Sequence, residues 1–318
     1  MNSAKQQPVL IVAGPTASGK SGLALAVAEE FDGVIVNADS MQVYRELRIL
    51  TARPMPADEA RAPHRLYGVL SASEACSAGR WRDMALAEIE RAHAAGKLPI
   101  VCGGTGLYLK ALTGGLSPVP EPPDEIREAM RARLGAKGSQ ALHRELSARD
   151  PEMAKRLEPA DGQRIARALE VLEATGRSLA AWQAGPAEEP PAGLRFATIL
   201  LAPPREALYA RCDRRLKAMA EEGALDEVRR LTAMGLAPDL PAMKALGVKE
   251  FADYLAGNRA FDEALAAAQQ ATRNYAKRQM TWFRNQIIAD KMITTQFSES
   301  MLPEIFSFIR HFLLTPPG

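Results

Sequence analysis

The sequence predicts an α/β fold in which a parallel sheet is flanked by helices and interrupted by an all-helical insertion domain. Short apolar runs rich in β-branched residues at 9–13, 34–36, 98–101 and 196–201 are typical of buried parallel strands. Helical patterns separate the first three runs, and this alternation indicates a helix-covered sheet. Residues 124–182 carry helical patterns without any strand-like run, which indicates a separate helical domain.

Two proline-rich segments, at 117–123 and 185–191, mark the limits of that helical domain. Proline resists the interior of helices and sheets, so such segments are typical of joints between domains. We therefore predict that the helical domain is inserted into the chain of the sheet domain. The predicted divisions are a core of residues 8–116 and 193–295, an insertion of residues 117–192 and a tail of residues 296–318 without an assigned function.

The composition of the 318-residue chain is ordinary, with 47% hydrophobic and 25% charged residues. Because the net charge is only +2, any nucleic-acid binding must depend on local clusters of basic side chains. The three cysteines and four histidines are scattered, which argues against a disulfide framework and a structural zinc site. Neither a signal sequence nor a membrane-spanning run is recognisable, so we expect a cytoplasmic protein without a membrane partner. We also expect a monomer.

The strongest motif is the segment from Gly14 to Ser21, which fits G-x-x-x-x-G-K-S/T between a strand-like run and a helical stretch. In such a loop the backbone N–H groups and the helix N-terminus converge on an anion. Lys20 adds a positive charge, and Ser21 offers a hydroxyl to Mg²⁺. The motif therefore predicts a P-loop NTPase-like sheet that binds a di- or triphosphate with Mg²⁺. The residues of this phosphate loop are Gly14, Pro15, Thr16, Ala17, Ser18, Gly19, Lys20 and Ser21.

Two further segments follow predicted strands and should lie at the same edge of the sheet, where open α/β sheets bind their ligands. Asp39 follows the second strand and can coordinate Mg²⁺ through water or accept a proton; alternatively it caps a helix or forms an Asx turn. Residues 103–108 form a second glycine-rich turn in which Thr105 offers a hydroxyl to a phosphate oxygen. A simple strand-to-helix turn would also explain these glycines.

Arginine pairs are candidate phosphate clamps, because the planar guanidinium offers paired donors. One pair is Arg164 and Arg167, and the other is Arg211 and Arg215 at helical spacing. Solvated ion pairs on a helix surface are the alternative.

A long helix is predicted over residues 262–288, with Asp262 as its N-cap. It carries basic and aromatic side chains without an acidic residue between 273 and 284, a pattern typical of contacts to a phosphate backbone. A basic helix face over an aromatic core stripe is the alternative. The side chains concerned are Arg273, Tyr275, Lys277, Arg278, Trp282 and Arg284.

Several of these motifs together resemble one family, the tRNA dimethylallyltransferases in their bacterial form. The matching blocks lie at 14–21, 39–44, 103–108, 163–170, 208–227 and 277–284, in the order expected for that family. The resemblance implies transfer of a dimethylallyl group from dimethylallyl diphosphate to N6 of the adenosine on the 3′ side of the anticodon, with release of diphosphate. It also implies that the target nucleotide leaves its stack.

The resemblance implies a role for each matching residue. Lys20, Asp39, Thr105 and Arg215 would be catalytic, with Asp39 as the general base, Arg211 would join the phosphate loop in binding diphosphate, and Ser21 would ligate Mg²⁺. The insertion and the basic helix would hold the anticodon stem-loop. The implied tRNA contacts are Asp39, Ser40, Met41, Gln42, Thr105, Arg127, Gln163, Arg164, Ile165, Ala166, Arg167, Lys244, Gly247, Lys249, Lys277, Arg278, Gln279, Trp282 and Arg284.

The chain departs from the family pattern at two points. Family members usually carry Gly-Tyr where this chain has Gly247 and Val248, so an aromatic contact is missing there. The C-terminal zinc finger of the eukaryotic relatives is also absent.

Two other functions fit parts of the sequence. A P-loop kinase of a nucleoside or small metabolite would use Asp39 to deprotonate a hydroxyl and Arg211 with Arg215 to clamp the transferred phosphoryl group. It would not need the helical insertion or the basic helix. A noncatalytic RNA-binding protein would use the phosphate loop only for control by nucleotide, and substitution of Asp39 would then leave its function intact.

Overall fold

The computed structural model describes residues 6–185 and 191–315. The chain forms two compact units, one made of the segments up to residue 113 and from residue 191 onward, the other of residues 114–190. The sequence placed the insertion at residues 117–192. Residues 186–190 of the predicted second joint and residues 316–318 of the predicted tail lie outside the described part of the chain.

The first unit is built on a six-stranded sheet in which every pairing is parallel. Its strands lie in the order β3, β2, β4, β1, β5, β6 across the sheet. The carboxyl ends of β1, β2 and β4 are therefore neighbours, and the segments that follow them meet at one edge. The strands are β1 (Gln7–Ala13), β2 (Gly33–Asn37), β3 (His64–Arg65), β4 (Leu98–Gly103), β5 (Leu194–Leu201) and β6 (Lys291–Ile293).

Helices cover both faces of this sheet, as its buried apolar strands require. Successive residues of β1 face opposite sides, so Val9 and Ile11 join one hydrophobic cluster while Leu10 and Val12 join another. The helices are α1 (Lys20–Glu30), α2 (Pro56–Arg61), α3 (Ala78–Ala94), α4 (Gly106–Gly114), α9 (Arg205–Met219), α10 (Leu225–Ala233), α11 (Val248–Leu255), α12 (Phe261–Gln286) and α13 (Leu302–Leu314). A π-helical turn (Ala220–Ala224) joins α9 to α10, and short 3₁₀ turns span Pro241–Lys244 and Glu299–Met301.

Helices are the only regular secondary structure among the described residues of the second unit. It contains α5 (Asp124–Arg149), α6 (Pro151–Ala154), α7 (Gly162–Thr175) and α8 (Leu179–Gln183). A break at Gly138, whose φ of 75° is left-handed, divides α5 into two helical segments. Met130, Leu142 and Leu169 are among the side chains that form the separate core of this unit. None of the described helices in either unit is both long and apolar enough to span a membrane.

The last two helices, α12 and α13, differ from what the sequence predicted. Helix α12 begins at Phe261 after an Ala260 N-cap, so the predicted N-cap role of Asp262 was wrong. Asp262 lies instead in the first turn, where its charge complements the helix dipole. The segment for which the sequence assigned no role forms α13, and Ile305 and Ile309 of that helix complete the cluster that contains Leu10.

Candidate active site

The phosphate loop connects β1 to α1 at the centre of the sheet edge. Gly19 has a φ of 99°, a left-handed conformation that side chains rarely adopt, and it is the N-cap from which α1 begins at Lys20. The loop is closed by a 3.2 Å hydrogen bond from the Ser18 N–H to the Pro15 carbonyl. The amides of the loop and the N-terminus of α1 are thereby held close together, as anion binding requires.

Lys20 is buried, and its Nζ donates to the Pro15 carbonyl over 3.3 Å. Burial lowers the pKa of Lys20, and the positive charge of Arg215 lowers it further, whereas the Asp39 carboxylate opposes the shift. The site therefore holds a cation that a bound polyanion would stabilise. Ser21, the next residue, is exposed at the start of α1.

Asp39 lies just beyond the end of β2 and is held by Asn37. The Asp39 N–H donates to Asn37 Oδ1 over 2.8 Å, and Asn37 Nδ2 donates to the Asp39 carbonyl over 3.0 Å. Asp39 Oδ1 accepts from the Met41 N–H over 3.0 Å, which is the Asx turn considered as an alternative. Because Asp39 also lines the cavity of the site, one carboxylate both shapes the loop and faces the space for a ligand.

Thr105 follows β4 and lies beside the Asp39 loop. Its Oγ1 accepts from the Ser40 N–H over 2.9 Å and lies 3.3 Å from Ser40 Oγ. The Thr105 N–H donates to the Ala38 carbonyl over 3.1 Å. In this structure Thr105 therefore joins the loops that follow β2 and β4, and its predicted help to a leaving group stays a prediction.

Helix α9 supplies the arginines. Arg215 Nη2 donates to Thr16 Oγ1 of the phosphate loop. Burial lowers the pKa of Arg215, while the Asp39 carboxylate and Cys212 oppose the shift. Arg211 lies one turn earlier on the same helix and is half-buried.

Gln279, which the sequence assigned to tRNA, is 5% exposed and connects two loops. Its Oε1 accepts from the Thr16 N–H over 2.9 Å, and its Nε2 donates to the Gly104 carbonyl over 2.8 Å. The side chain is thus occupied within the protein. The ring of Trp282 lies against the backbone of Gly106, which has no side chain to obstruct it.

A cavity of about 220 Å³ opens between these elements. Polar groups from the phosphate loop, the Asp39 loop and α9 line it together with apolar side chains. Burial raises the pKa of Tyr275, and the nearby Asp39 carboxylate raises it further, so the phenol of this lining residue stays protonated. The lining residues include Thr16, Asp39, Met41, Leu50, Arg215, Leu216, Met219, Lys244, Leu246, Tyr275 and Arg278.

The other predicted tRNA contacts of the first unit differ in their solvent exposure. Lys244, Lys249, Lys277, Arg278 and Arg284 are exposed. Ser40 and Met41 are half-buried, and Gly247 and Gln42 are buried.

Gln42, a predicted tRNA contact, and Arg273 of the basic helix both have partners within the protein. Gln42 Nε2 donates to the Thr51 carbonyl over 2.7 Å and to the Ala52 carbonyl over 3.1 Å. Arg273 of the basic helix pairs with both carboxylate oxygens of Asp213 at 2.7 Å. These two side chains therefore have structural partners in place of an RNA.

In the second unit, Gln163 and Arg164 are exposed, and Arg167 and Arg127 are half-buried. Arg164 and Arg167 line a cavity of about 420 Å³ together with Gln163 and Arg156. Each of the two arginines also has an acidic neighbour on α7 or its N-cap, at 3.7 Å.

The side chains of two predicted tRNA contacts in this unit are buried. Ile165 and Ala166 are buried in the core of the helical unit, Ile165 completely. Helical periodicity explains this, because residues adjacent to an exposed arginine on α7 turn toward the opposite face. Their side chains leave no surface for an RNA.

Sequence reasoning missed two residues that contact the phosphate loop from the C-terminal segment. Gln296 Nε2 donates to the Ser18 carbonyl over 3.2 Å. Phe297 packs so closely on Gly19 that an added Cβ there would lie 3.2 Å from the Phe297 Cβ. No motif surrounds these residues, so only the fold identifies them as supports of the loop.

Comparisons with known proteins find similar chains. A family model described as IPP transferase matches residues 42–286. The chain is 56% identical over 310 residues to a tRNA dimethylallyltransferase of Paramagnetospirillum magneticum, covering 98% of both chains. It is 58% identical over 283 residues to one of Rhodospirillum centenum, covering 89% of this chain and 90% of that relative.

Solved structures give the same result. A full-length tRNA isopentenylpyrophosphate transferase from Bacillus halodurans is 34% identical, with a TM-score of 0.70 over 97% of both chains. A eukaryotic dimethylallyltransferase described as acting on tRNA is 26% identical, with a TM-score of 0.81 over 98% of this chain and 80% of its own. The family match and the near-full-length relatives show that this chain belongs to the IPP transferase family.

Proposed function

We propose that this chain transfers the dimethylallyl group of dimethylallyl diphosphate to N6 of the adenosine 3′-adjacent to the anticodon in certain tRNAs, releasing diphosphate. The observation that carries the proposal is the composition of one cavity. It combines a phosphate-loop group, Thr16, with the Arg215 guanidinium, the Asp39 carboxylate and apolar side chains. A charged leaving group, a base and an apolar prenyl chain each have a matching surface there.

The phosphate loop would hold the leaving group. Negative charge builds on the diphosphate oxygen as the bond to the prenyl carbon breaks, and fixed donors aimed at that charge lower the barrier. Lys20 is buried and Arg215 is half-buried, and desolvation lowers the pKa of both, so a bound diphosphate would relieve the cost of their desolvation. Arg211 would extend the same positive surface.

Asp39 would act as general base on the acceptor. The exocyclic amine of adenine is a weak nucleophile, because its lone pair is delocalised into the ring. As the N6–carbon bond forms and the carbon–oxygen bond breaks, diphosphate leaves with the bonding electron pair and the amine proton passes to the Asp39 carboxylate. The Asx turn orients this carboxylate through Oδ1.

Mg²⁺ fits this site as a partner of the diphosphate. The described residues contain no cluster of three or more His, Cys, Asp or Glu that could cage a metal. Mg²⁺ commonly keeps several waters and binds through substrate phosphates with one or two protein oxygens. Ser21, exposed at the start of α1, offers a hydroxyl oxygen to the ion, and Asp39 would contact it only through water. When bound, the ion would supply positive charge against the departing diphosphate.

Exposed cations support the choice of an anticodon stem-loop as acceptor. Lys277, Arg278 and Arg284 lie on α12, and Lys244 lies at the rim of the cavity. Basic side chains of this kind contact the phosphate backbone. In the second unit, Arg164 and Arg167 would contribute further phosphate contacts. We propose that the chain acts as a monomer in the cytoplasm, where tRNA is found.

Nucleoside analysis tests the proposal. The protein is incubated with Mg²⁺, dimethylallyl diphosphate and an unmodified tRNA with adenosine at the 3′ side of its anticodon, and the digested nucleosides are analysed by mass spectrometry. Prenylated adenosine is expected. A matched tRNA with guanosine at that position should gain nothing. Absence of prenyladenosine from the first tRNA would contradict the proposal.

A further inference from the structure

Glu227 of α10 is a buried carboxylate to which sequence analysis gave no role. It is 3% exposed. Its Oε2 accepts from the N–H groups of Arg48 and Ile49 over 2.7 and 2.8 Å, and its Oε1 accepts from the Leu50 N–H over 3.0 Å. Three successive amides therefore converge on one carboxylate, an arrangement that satisfies a charge which burial would otherwise make costly.

Leu50, the last residue of this hydrogen-bonded segment, also lies against Gly247. A Cβ added to Gly247 would lie 3.0 Å from a methyl group of Leu50, so only glycine lets the Leu50 side chain approach the start of α11 this closely. Glu227 thus holds the backbone of Leu50, and the absence of a side chain at Gly247 leaves room for the Leu50 methyl group.

Leu50 also lines the cavity of the candidate active site, with Asp39 and Arg215. At about 220 Å³ the cavity is smaller than the roughly 300–1,000 Å³ typical of small-molecule sites. A prenyl group and part of a base must share this space, so the position of an apolar wall decides how long a prenyl chain fits. We infer that Leu50 determines donor chain length and that Glu227 is the positioning residue that holds it. This inference rests on the proposed function.

Two substitutions distinguish the role of Leu50 in the cavity wall from the role of Glu227 in positioning it. Leu50→Ala removes the branched end of the side chain and enlarges the apolar part of the cavity. Glu227→Gln keeps the shape of the side chain but turns one acceptor into a donor. If the amide oxygen takes the Oε2 position, the amide nitrogen faces the Leu50 N–H. Both groups are donors, so the Leu50 N–H loses its hydrogen bond. Asp226→Asn is the matched control, because Asp226 is an exposed neighbour that pairs with Arg229 on the surface.

The assay compares kcat/KM for dimethylallyl diphosphate with that for geranyl diphosphate, which is one isoprene unit longer, at saturating tRNA. A hydrophobic wall discriminates by roughly 10–200-fold per methylene. We expect Leu50→Ala to shift the ratio toward the longer donor by about tenfold or more. Glu227→Gln should shift it in the same direction and raise KM for the donor, while KM for tRNA stays unchanged. Asp226→Asn should keep the ratio of the unsubstituted protein.

The outcomes distinguish the inference from the proposed function. If the unsubstituted protein does not prenylate tRNA with dimethylallyl diphosphate, the proposed function fails and the inference fails with it. If it does so while folded Leu50→Ala and Glu227→Gln keep its donor ratio, only the inference is overturned. Melting curves establish which variants are folded. If Glu227→Gln does not fold, Leu50→Ala tests whether Leu50 determines donor chain length. Leu50→Val, a smaller change at the same position, then serves as the second test.

Discussion

Replacing Gln279 by leucine tests whether this residue supports the phosphate loop or contacts tRNA. The substitution removes both hydrogen bonds that join Thr16 to Gly104 across the site, of 2.9 and 2.8 Å. Each buried group left without a partner costs about 1–3 kcal/mol. Because the Thr16 N–H is only partly buried and can reach water, we expect a total loss of about 2–4 kcal/mol in the free energy of unfolding. At roughly 2 °C per kcal/mol this lowers Tm by about 4–8 °C.

The functional readout separates the two roles. If Gln279 supports the loop, KM for dimethylallyl diphosphate rises while the Kd for tRNA, measured by filter binding without donor, stays unchanged. Gln270→Leu is the control, since Gln270 lies exposed on the same helix and bonds to Asn274 on the surface. An unchanged Tm combined with a loss of tRNA affinity would refute the reasoning and restore the direct contact that the sequence implied.

Three further predictions follow from the same geometry. Asp39→Asn keeps an Oδ1 acceptor for the Met41 N–H but removes the basic carboxylate. It should lower the rate of single-turnover prenylation by about 10²–10⁴-fold with little change in tRNA affinity. Retention of more than a tenth of the rate would contradict the role of Asp39 as general base. Burial lowers the pKa of Lys20, and a bound anion raises it. The affinity for diphosphate should therefore be highest at pH values below the pKa of Lys20 in the free protein. Calorimetric titration should show affinity falling as the pH rises through that value, which lies below the ordinary 10.5, and pH-independent affinity up to 10.5 would argue against the role of Lys20. Phe297→Ala removes a half-buried ring from the phosphate loop, so it should destabilise the protein by roughly 1–3 kcal/mol and raise KM for the donor, whereas an unchanged KM would limit Phe297 to packing.

Local patterns predicted the centre of the fold well. The apolar runs at 9–13 and 98–101 lie within β1 and β4, and the phosphate loop lies between β1 and α1 as its motif requires. These features are readable because burial on both faces leaves a continuous apolar run. The edge strands were missed for the opposite reason. With only two and three residues, β3 and β6 are too short to carry a pattern.

The parts of the site that depend on distant contacts could not be read from the sequence. Gln279 bonds to a residue 263 positions away, and Glu227 to amides 177–179 positions away. No spacing rule reaches that far, so Gln279 was grouped with its exposed neighbours on the basic helix. Ile165 was likewise grouped with the arginines beside it, although helical geometry turns it into the core.

The central claim is that the phosphate loop holds a leaving group rather than a group to be transferred. Its most direct test follows both phosphates of dimethylallyl diphosphate, labelled with radioactive phosphorus, during reaction with unmodified tRNA, alone and with added ATP. The account predicts that one labelled diphosphate appears in solution for each prenyladenosine formed, that none of the label enters the RNA, and that ATP is not consumed. Label in the RNA, or prenylation that requires cleavage of ATP, would contradict it.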